Sequence, residues 1–459
     1  MRGGIKRGLG IVALVGLGVV SSSVLLQPVR PVGAALPKSA ASLHVVGGPV
    51  SVGDRAVVIY VNSARNLYLA GIDPVSGKVM WQYPYSATGV TPGVALTPSA
   101  VGNMVMDVSP AGTPKNPLVR LSGINAPTGE VVWRSQGSFI PTDAPSPCAE
   151  GKYFCIPGYN ADGSSSLLLV DPTTGAGRGL LKGPFREMGT DLYQTDASKP
   201  TLEQVSPGGA EAWQASVASL FGPAFSPDYG WVIIQTATLD VGSFEPIVKG
   251  NGYDVSNEKT MGIELATGEP AWTLKAEYDC GGSLFFVASQ VACQYGGVLH
   301  KPAIHAKTPS YKGLTIALIG FDADTGSVTW RVPVRNINAI MNGAGLPFLD
   351  DTHVVVTLSD GHSALLNTSN GTMGRLAKGE IFWCEKDPNY KVNAPTGYSY
   401  EANRTSTSLY FGCTANGKSS HKVPNTTPAS VGIKVDGIFA WPAPGGLRTR
   451  VVGIPESVV

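Results

Sequence analysis

Charge is scarce in this chain. Asp, Glu, Lys and Arg make only 15% of 459 residues, and the net charge is +1. Lys and Arg are scattered along the sequence without a basic stripe, so nucleic acid lacks the electrostatic footprint it would need. The standard catalytic signatures are missing too. There is no phosphate-binding G-x-x-x-x-G-K-[ST] loop, no H-E-x-x-H zinc pair and no G-x-S-x-G nucleophile elbow. The six histidines (44, 300, 305, 353, 362 and 421) fit no metal-ligand spacing. His300 and His305 flank a Pro in what reads as a loop. Asp240, Asp254, Asp279, Asp350 and Asp351 offer carboxylates whose default role is capping turns.

Long apolar runs are missing after residue 26. Before it, Arg2, Lys6 and Arg7 precede nineteen uncharged residues, Gly8 to Leu26. That stretch fits either a secretion signal or a single apolar helix anchoring the chain in a bilayer. Small residues follow at Gly33-Ala34-Ala35. Residues 1–36 are therefore read as a signal peptide or membrane anchor. The N-terminal positive flank puts the body, 37–459, outside the cytoplasm, secreted or held at the cell surface. No Cys follows the run, which speaks against lipidation. Six cysteines suit an oxidising compartment.

Gly (57) and Pro (35) are plentiful, and short Val- and Leu-rich runs alternate with turns, as in an all-β chain. The decisive feature is an internal repeat. Residues 73–81 read DPVSGKVMW, 125–133 NAPTGEVVW, 264–272 ELATGEPAW and 322–330 DADTGSVTW. A fifth copy, VSPGGAEAW at 205–213, keeps Gly and Trp. DPTTGAGRG at 171–179 and NTSNGTMGR at 367–375 keep the turn and lose the Trp, and PAPGGLRTR at 442–450 is a weak last copy. The marking glycines are 77, 129, 175, 209, 268, 326, 371 and 446. An apolar strand precedes each turn and a second strand carries the Trp, so each unit contains a β-hairpin. Four-stranded units at such spacing indicate a β-propeller. Eight antiparallel blades are expected, with seven left open. The segment around 43–47 is available to complete the last blade.

The pattern A-x-D-x-x-T-G-x-x-x-W resembles the quinoprotein, or PQQ-like, β-propeller repeat from about residue 42 to 459. The resemblance implies that Trp81, Trp133, Trp213, Trp272 and Trp330 stack against a neighbouring blade near its turn glycine. Gly77, Gly129, Gly209, Gly268 and Gly326 complete the expected blade-docking set. Enzymes of the resembling family hold their quinone over a Trp and against a disulfide between adjacent cysteines. No two cysteines are adjacent here, and no C-x-x-C-H haem motif occurs. No cofactor and no metal are therefore expected. The cysteines pair off along the repeats: Cys148 with Cys155, Cys280 with Cys293 and Cys384 with Cys413, each bridge tying adjacent strands of one blade.

The resulting expectation is an extracytoplasmic module that binds or scaffolds a protein or other macromolecule at a propeller face, with membrane association through its N-terminal segment. The alternatives are a quinone- or metal-dependent oxidoreductase and a small-ligand or glycan sensor. A sensor would use Tyr390, Tyr398 and Tyr400 in a polar loop, 385–403. Residues 240–257 and 414–429 also read as polar loops.

Overall fold

The computed structural model describes residues 39, 42–85, 98–111, 118–135, 139–141, 144–148, 151–160, 165–182, 185–188, 191–196, 201–205, 211–216, 225–246, 252–278, 290–300, 310–335, 345–386 and 408–451. Their regular structure is β-strand, apart from short 3-10 turns such as Val255–Asn257. Among the described residues no helix is long and apolar enough to cross a membrane. The expected N-terminal apolar helix lies outside the described residues.

The strands form successive antiparallel units. The first is His44–Val52, Arg55–Val61, Leu67–Asp73 and Lys78–Pro84, paired in chain order. The next two, from Ala100–Val101 to Glu130–Arg134 and from Ser146–Cys148 to Gly177–Lys182, are joined into one sheet through Phe139–Pro141. The fourth unit runs from Phe185–Met188 to Glu211–Ser216. The fifth runs from Phe225–Gln235 to Pro270–Leu274, and the sixth ends in Ser310–Phe321 and Val328–Val334. Phe348–Asp350, His353–Thr357, Ser363–Asn367 and Met373–Gly374 form the seventh.

The eighth unit departs from the pattern. Phe382–Lys386 pairs with Leu409–Cys413, and this pair hangs on the seventh unit by one bridge, Phe348 to Trp383. Ile433–Val435, Ile438–Ala443 and Gly446–Val451 then make a separate three-stranded sheet. One face of that sheet packs Val435, Ala440 and Leu447 against Leu43, Val45, Ala56, Val58 and Ala70 of the first unit. Its other face packs Phe439 and Trp441 against Trp383 and Tyr410. The end of the chain thereby meets its beginning, and the series closes into a β-propeller. Stacking buries both flat faces of the sheets in their inner strands, which read as near-continuous apolar runs; Ala56 to Val61 are all buried, whereas outer strands such as Val328–Val334 stay partly exposed.

Two sequence expectations are corrected. The segment around 43–47 does not complete the last blade. His44–Val52 ladders with Arg55–Val61 as the inner strand of the first, because the tight Gly53-Asp54 turn joins the two directly. Residues 240–257 are not a loop throughout. Leu239–Pro246 is a full ladder strand in which Val241 and Ser243 are buried, and its glycine and polar residues are tolerated inside a paired strand. Residues 414–429 form the expected irregular, turn-rich segment.

Candidate functional site: the seams between blades

Among the described residues six repeats, those with Gly77, Gly129, Gly175, Gly268, Gly326 and Gly371, build the same turn. Asp73, Asn125, Asp171, Asp322 and Asn367 accept backbone N–H groups two or three residues ahead through Oδ1. The glycine four residues on donates its N–H to the carbonyl of that same first residue, at 2.8 Å in copy one and 2.7 Å in copy two. The acidic or Asn residue thus folds the turn, and the glycine closes it.

The Trp then leaves its own sheet and meets the next one. Trp81 lies against Gly129, and its indole Nε1 donates to the carbonyl of Ala126 at 2.7 Å. Trp133 meets Gly175 and bonds Pro172, Trp213 meets Gly268 and bonds Leu265, Trp272 meets Gly326 and bonds Ala323, and Trp330 meets Gly371 and bonds Thr368. In every case the acceptor sits three residues before the glycine. Five indoles therefore reach five following turns by one rule. Gly129 shows why glycine is required. Its φ is 72°, and a Cβ would lie 2.5 Å from Trp81 Cδ1. Tyr83 adds a second tie across the first seam, donating to the carbonyl of Gly129 at 2.6 Å.

A second glycine was not singled out in the sequence. Gly71, Gly123, Gly262 and Gly320 stand across the strand pair from Trp81, Trp133, Trp272 and Trp330, each six residues before a turn glycine. A Cβ at Gly71 would come within 2.2 Å of the Trp81 ring. The indole is thus clamped between a glycine of its own sheet and one of the next. Gly175 and Gly371 also receive an indole, although their own copies lack a Trp.

Gly77 does not act as expected. Nothing lies within 4 Å of a Cβ placed there. The residue that should reach it, four after Gly446, is Arg450, whose guanidinium instead donates to the carbonyls of Pro424, Asn425 and Thr426. The closing seam therefore runs on the apolar contact described above, without an indole. Gly209 and Cys280 lie outside the described residues, as do Tyr390, Tyr398, Tyr400, Asp279 and His305.

Cys148 is bonded to Cys155 and Cys384 to Cys413, with Cα atoms 5.8 Å apart in both. Both bridges have the same geometry. Cys148 stands opposite Tyr153 and Cys384 opposite Phe411, so each bond reaches diagonally to a position two residues along the neighbouring strand. Cys293 is also disulfide-bonded.

Among the candidate carboxylates, Asp254 caps the short turn at Ser256, and Asp351 accepts from the backbone of Ala429 and Ser430. Asp350 accepts from Thr352 and meets His353 Nδ1 at 2.9 Å; these bonds outweigh its partial burial and hold its carboxyl below the usual range. Asp240 is instead buried within a strand. Among the described residues no group of three or more His, Cys, Asp or Glu is placed to hold a metal ion.

A buried carboxylate that the sequence did not reveal lies in the first seam. Asp107, Ser122 and Arg134 face one another in register across three adjacent strands, beside Tyr83 of the preceding blade. Asp107 Oδ1 and Arg134 Nε make no hydrogen bond. Burial pushes the Asp107 carboxyl up to about 8, against the pull of Arg134. An acid whose folded pKa exceeds its unfolded value of about 4 stabilises the fold fully below pH 4, and loses that contribution as pH rises towards 8. Asp107→Asn should therefore raise the midpoint of thermal unfolding at pH 8 and flatten its fall between pH 5 and 8; a variant that melts lower at both pH values would contradict this.

Residues 27–273 and 198–374 match the family model described as outer membrane protein assembly factor BamB. The chain belongs to that family. Like its PQQ-like repeats, this places it among β-propellers. Among solved structures it is similar to BamB from Moraxella catarrhalis, at 12% identity over 80% of this chain and 96% of that one, with a TM-score of 0.38. It is also similar to the quinohemoprotein alcohol dehydrogenase ADHIIG from Pseudomonas putida HK5, at 12% identity over 76% and 71%, with a TM-score of 0.40. The quinohemoprotein alcohol dehydrogenase from Comamonas testosteroni aligns at 13% identity over 76% and 73%, with a TM-score of 0.38. No curated protein matches the chain.

Proposed function

We propose that this BamB-family propeller is an extracytoplasmic scaffold that holds a protein partner on a face of its ring. Residues 1–36 serve as its signal peptide or membrane anchor, and 37–459 form the propeller. The observation that carries the reading is family membership over residues 27–374, in a family described as an assembly factor of the outer membrane. The build of the ring supports it. Indoles clamped between glycines and disulfides within blades make a rigid platform, and rigid platforms with loops on their faces are suited to holding partners. The disulfides fit an oxidising compartment.

The test is to isolate the intact protein from membranes under mild detergent. A single polypeptide retained in constant ratio through gel filtration is the expected result. Protein that runs alone, and takes up pyrroloquinoline quinone and Ca²⁺ with a bound absorbance band, would replace the scaffold with the oxidoreductase alternative.

A further inference from the structure

The Lys and Arg residues that look scattered along the sequence are unevenly shared among the blades. Residues 408–451 carry five Lys and Arg against one acid, Asp436. Residues 1–38 carry five and no acid. Since the whole chain is only +1 and residues 452–459 add one acid, Glu456, residues 39–407 hold an acidic excess of seven. Residues 408–451 thus carry a net +4 in a chain whose preceding residues, 39–407, sum to a negative charge.

Two of these cations share a sheet face, and two more lie in the segment that precedes that sheet. Lys434 stands opposite Phe439, Phe439 opposite Arg450, and Trp441 opposite Arg448, so Lys434 and Arg448 lie on one face of the last sheet, on its two edge strands. Arg450 ties the segment bearing Lys422 to the same sheet through three carbonyls. Lys418 closes the preceding hairpin through its carbonyl to Thr414. Lys418, Lys422, Lys434 and Arg448 are exposed, and none forms an ion pair with a described residue.

The same blade is where the chain enters the ring. Leu43 is buried against Val435, Ala440 and Leu447, and the strand His44–Val52 touches all three strands of the last sheet. Only twelve residues, 27–38, separate the uncharged run ending at Leu26 from the described chain. Twelve residues span at most about 40 Å. A segment of that composition inserted in a bilayer would hold this blade close to the lipid surface.

We propose that the last blade is a contact surface for the anionic headgroups of a phospholipid bilayer, through Lys418, Lys422, Lys434 and Arg448. The orientation rests on the reading of residues 1–36 given above; the charge and its placement do not. Anionic surfaces attract such side chains, and salt screens the attraction within a Debye length. An acidic polypeptide is the competing occupant.

Per-residue lysine acetylation of the full-length protein, read by mass spectrometry, decides between them. With vesicles of phosphatidylcholine and phosphatidylglycerol, Lys418, Lys422 and Lys434 should be acetylated several-fold more slowly, while the exposed Lys78, Lys275 and Lys312 of other blades keep their rate. Pure phosphatidylcholine vesicles should give no such protection, and about 1 M salt, where the Debye length is about 3 Å, should abolish it. A K418E/K422E/K434E/R448E variant with unchanged circular dichroism and melting should lose the contact. The loss is read by vesicle flotation: the variant should bind phosphatidylcholine/phosphatidylglycerol vesicles no better than pure phosphatidylcholine vesicles, whereas the parent protein binds the anionic ones better. Unchanged reactivity of the three lysines with anionic vesicles would overturn the proposal, as would protection by an acidic polypeptide alone. Partner retention in the membrane isolation above is a separate readout, so either reading can fail without the other.

Discussion

Trp81→Ala is expected to destabilise the propeller by about 3–5 kcal/mol, the range for removing a buried indole from a packed interior. Trp81 is 4% exposed and fills the space between Gly71 and Gly129. The change deletes that packing and the bond to the Ala126 carbonyl, and leaves a buried acceptor unpaired. Trp81→Phe keeps much of the apolar surface and loses the donor, so a smaller loss is expected. The reciprocal change, Gly129→Ala, should also be costly, because it needs an unfavourable φ and drives a Cβ into the indole. Gly77→Ala meets no neighbour and pays only the backbone strain of its own turn. Chemical denaturation of the four variants checks the order: Trp81→Ala and Gly129→Ala well below Trp81→Phe and Gly77→Ala. Equal midpoints for Gly129→Ala and Gly77→Ala would show that the indole contact across the seam is not what makes Gly129 necessary.

The second large effect belongs to the last blade. Cys384 and Cys413 close a separation of 29 residues. In the chain-entropy account, a loop of that size contributes roughly 3–4 kcal/mol by restricting the unfolded chain. The paired change Cys384→Ser with Cys413→Ser should cost about that much. Cys148→Ser with Cys155→Ser, where the separation is only 7, should cost less. The strand pair Phe382–Lys386 and Leu409–Cys413 meets the seventh blade through one bridge, and the disulfide holds the two strands of the pair to each other. Denaturant midpoints of the two double variants, measured side by side, test the ranking; a greater loss at 148–155 would contradict it.

The fold was legible because its signal is local. An Asx residue, a glycine four later and a Trp four after that lie within nine residues, and each copy builds its turn from its own side chains. The direction of docking is longer in range. That the acceptor carbonyl precedes the next glycine by three, and that Gly71, Gly123, Gly262 and Gly320 clamp the ring from behind, depends on which strand lies across from which. The spacing of six was present in the sequence, but glycine is so common here that it did not stand out. The last blade was the least legible. In the sequence Gly446 reads as a weak eighth turn of the same kind, whereas Pro444 and Gly445 make a tight hairpin and Arg450 stands where an indole would. Asp107 could not be recognised at all. Nothing in the run MVMDVSP separates it from a surface Asp until Ser122 and Arg134 are aligned beside it and the first blade covers them. The surplus of cations in 408–451 is contiguous in the sequence but is masked there by a whole-chain charge of only +1.

The central claim is that the last sheet packs on the first blade and closes the ring. Ala440 lies wholly buried between them, beside Ala56, Val58 and Ala70. Amide hydrogen exchange in Ala440→Asp, compared with the parent protein, tests closure directly. An uncompensated charge at that seam should speed exchange both in Ile438–Ala443 and in the strand Arg55–Val61, nearly four hundred residues away in sequence, because both protect one interface. Faster exchange confined to the last sheet, with Arg55–Val61 protected as before, would mean that the two ends of the chain do not support each other and that the ring is not closed as described.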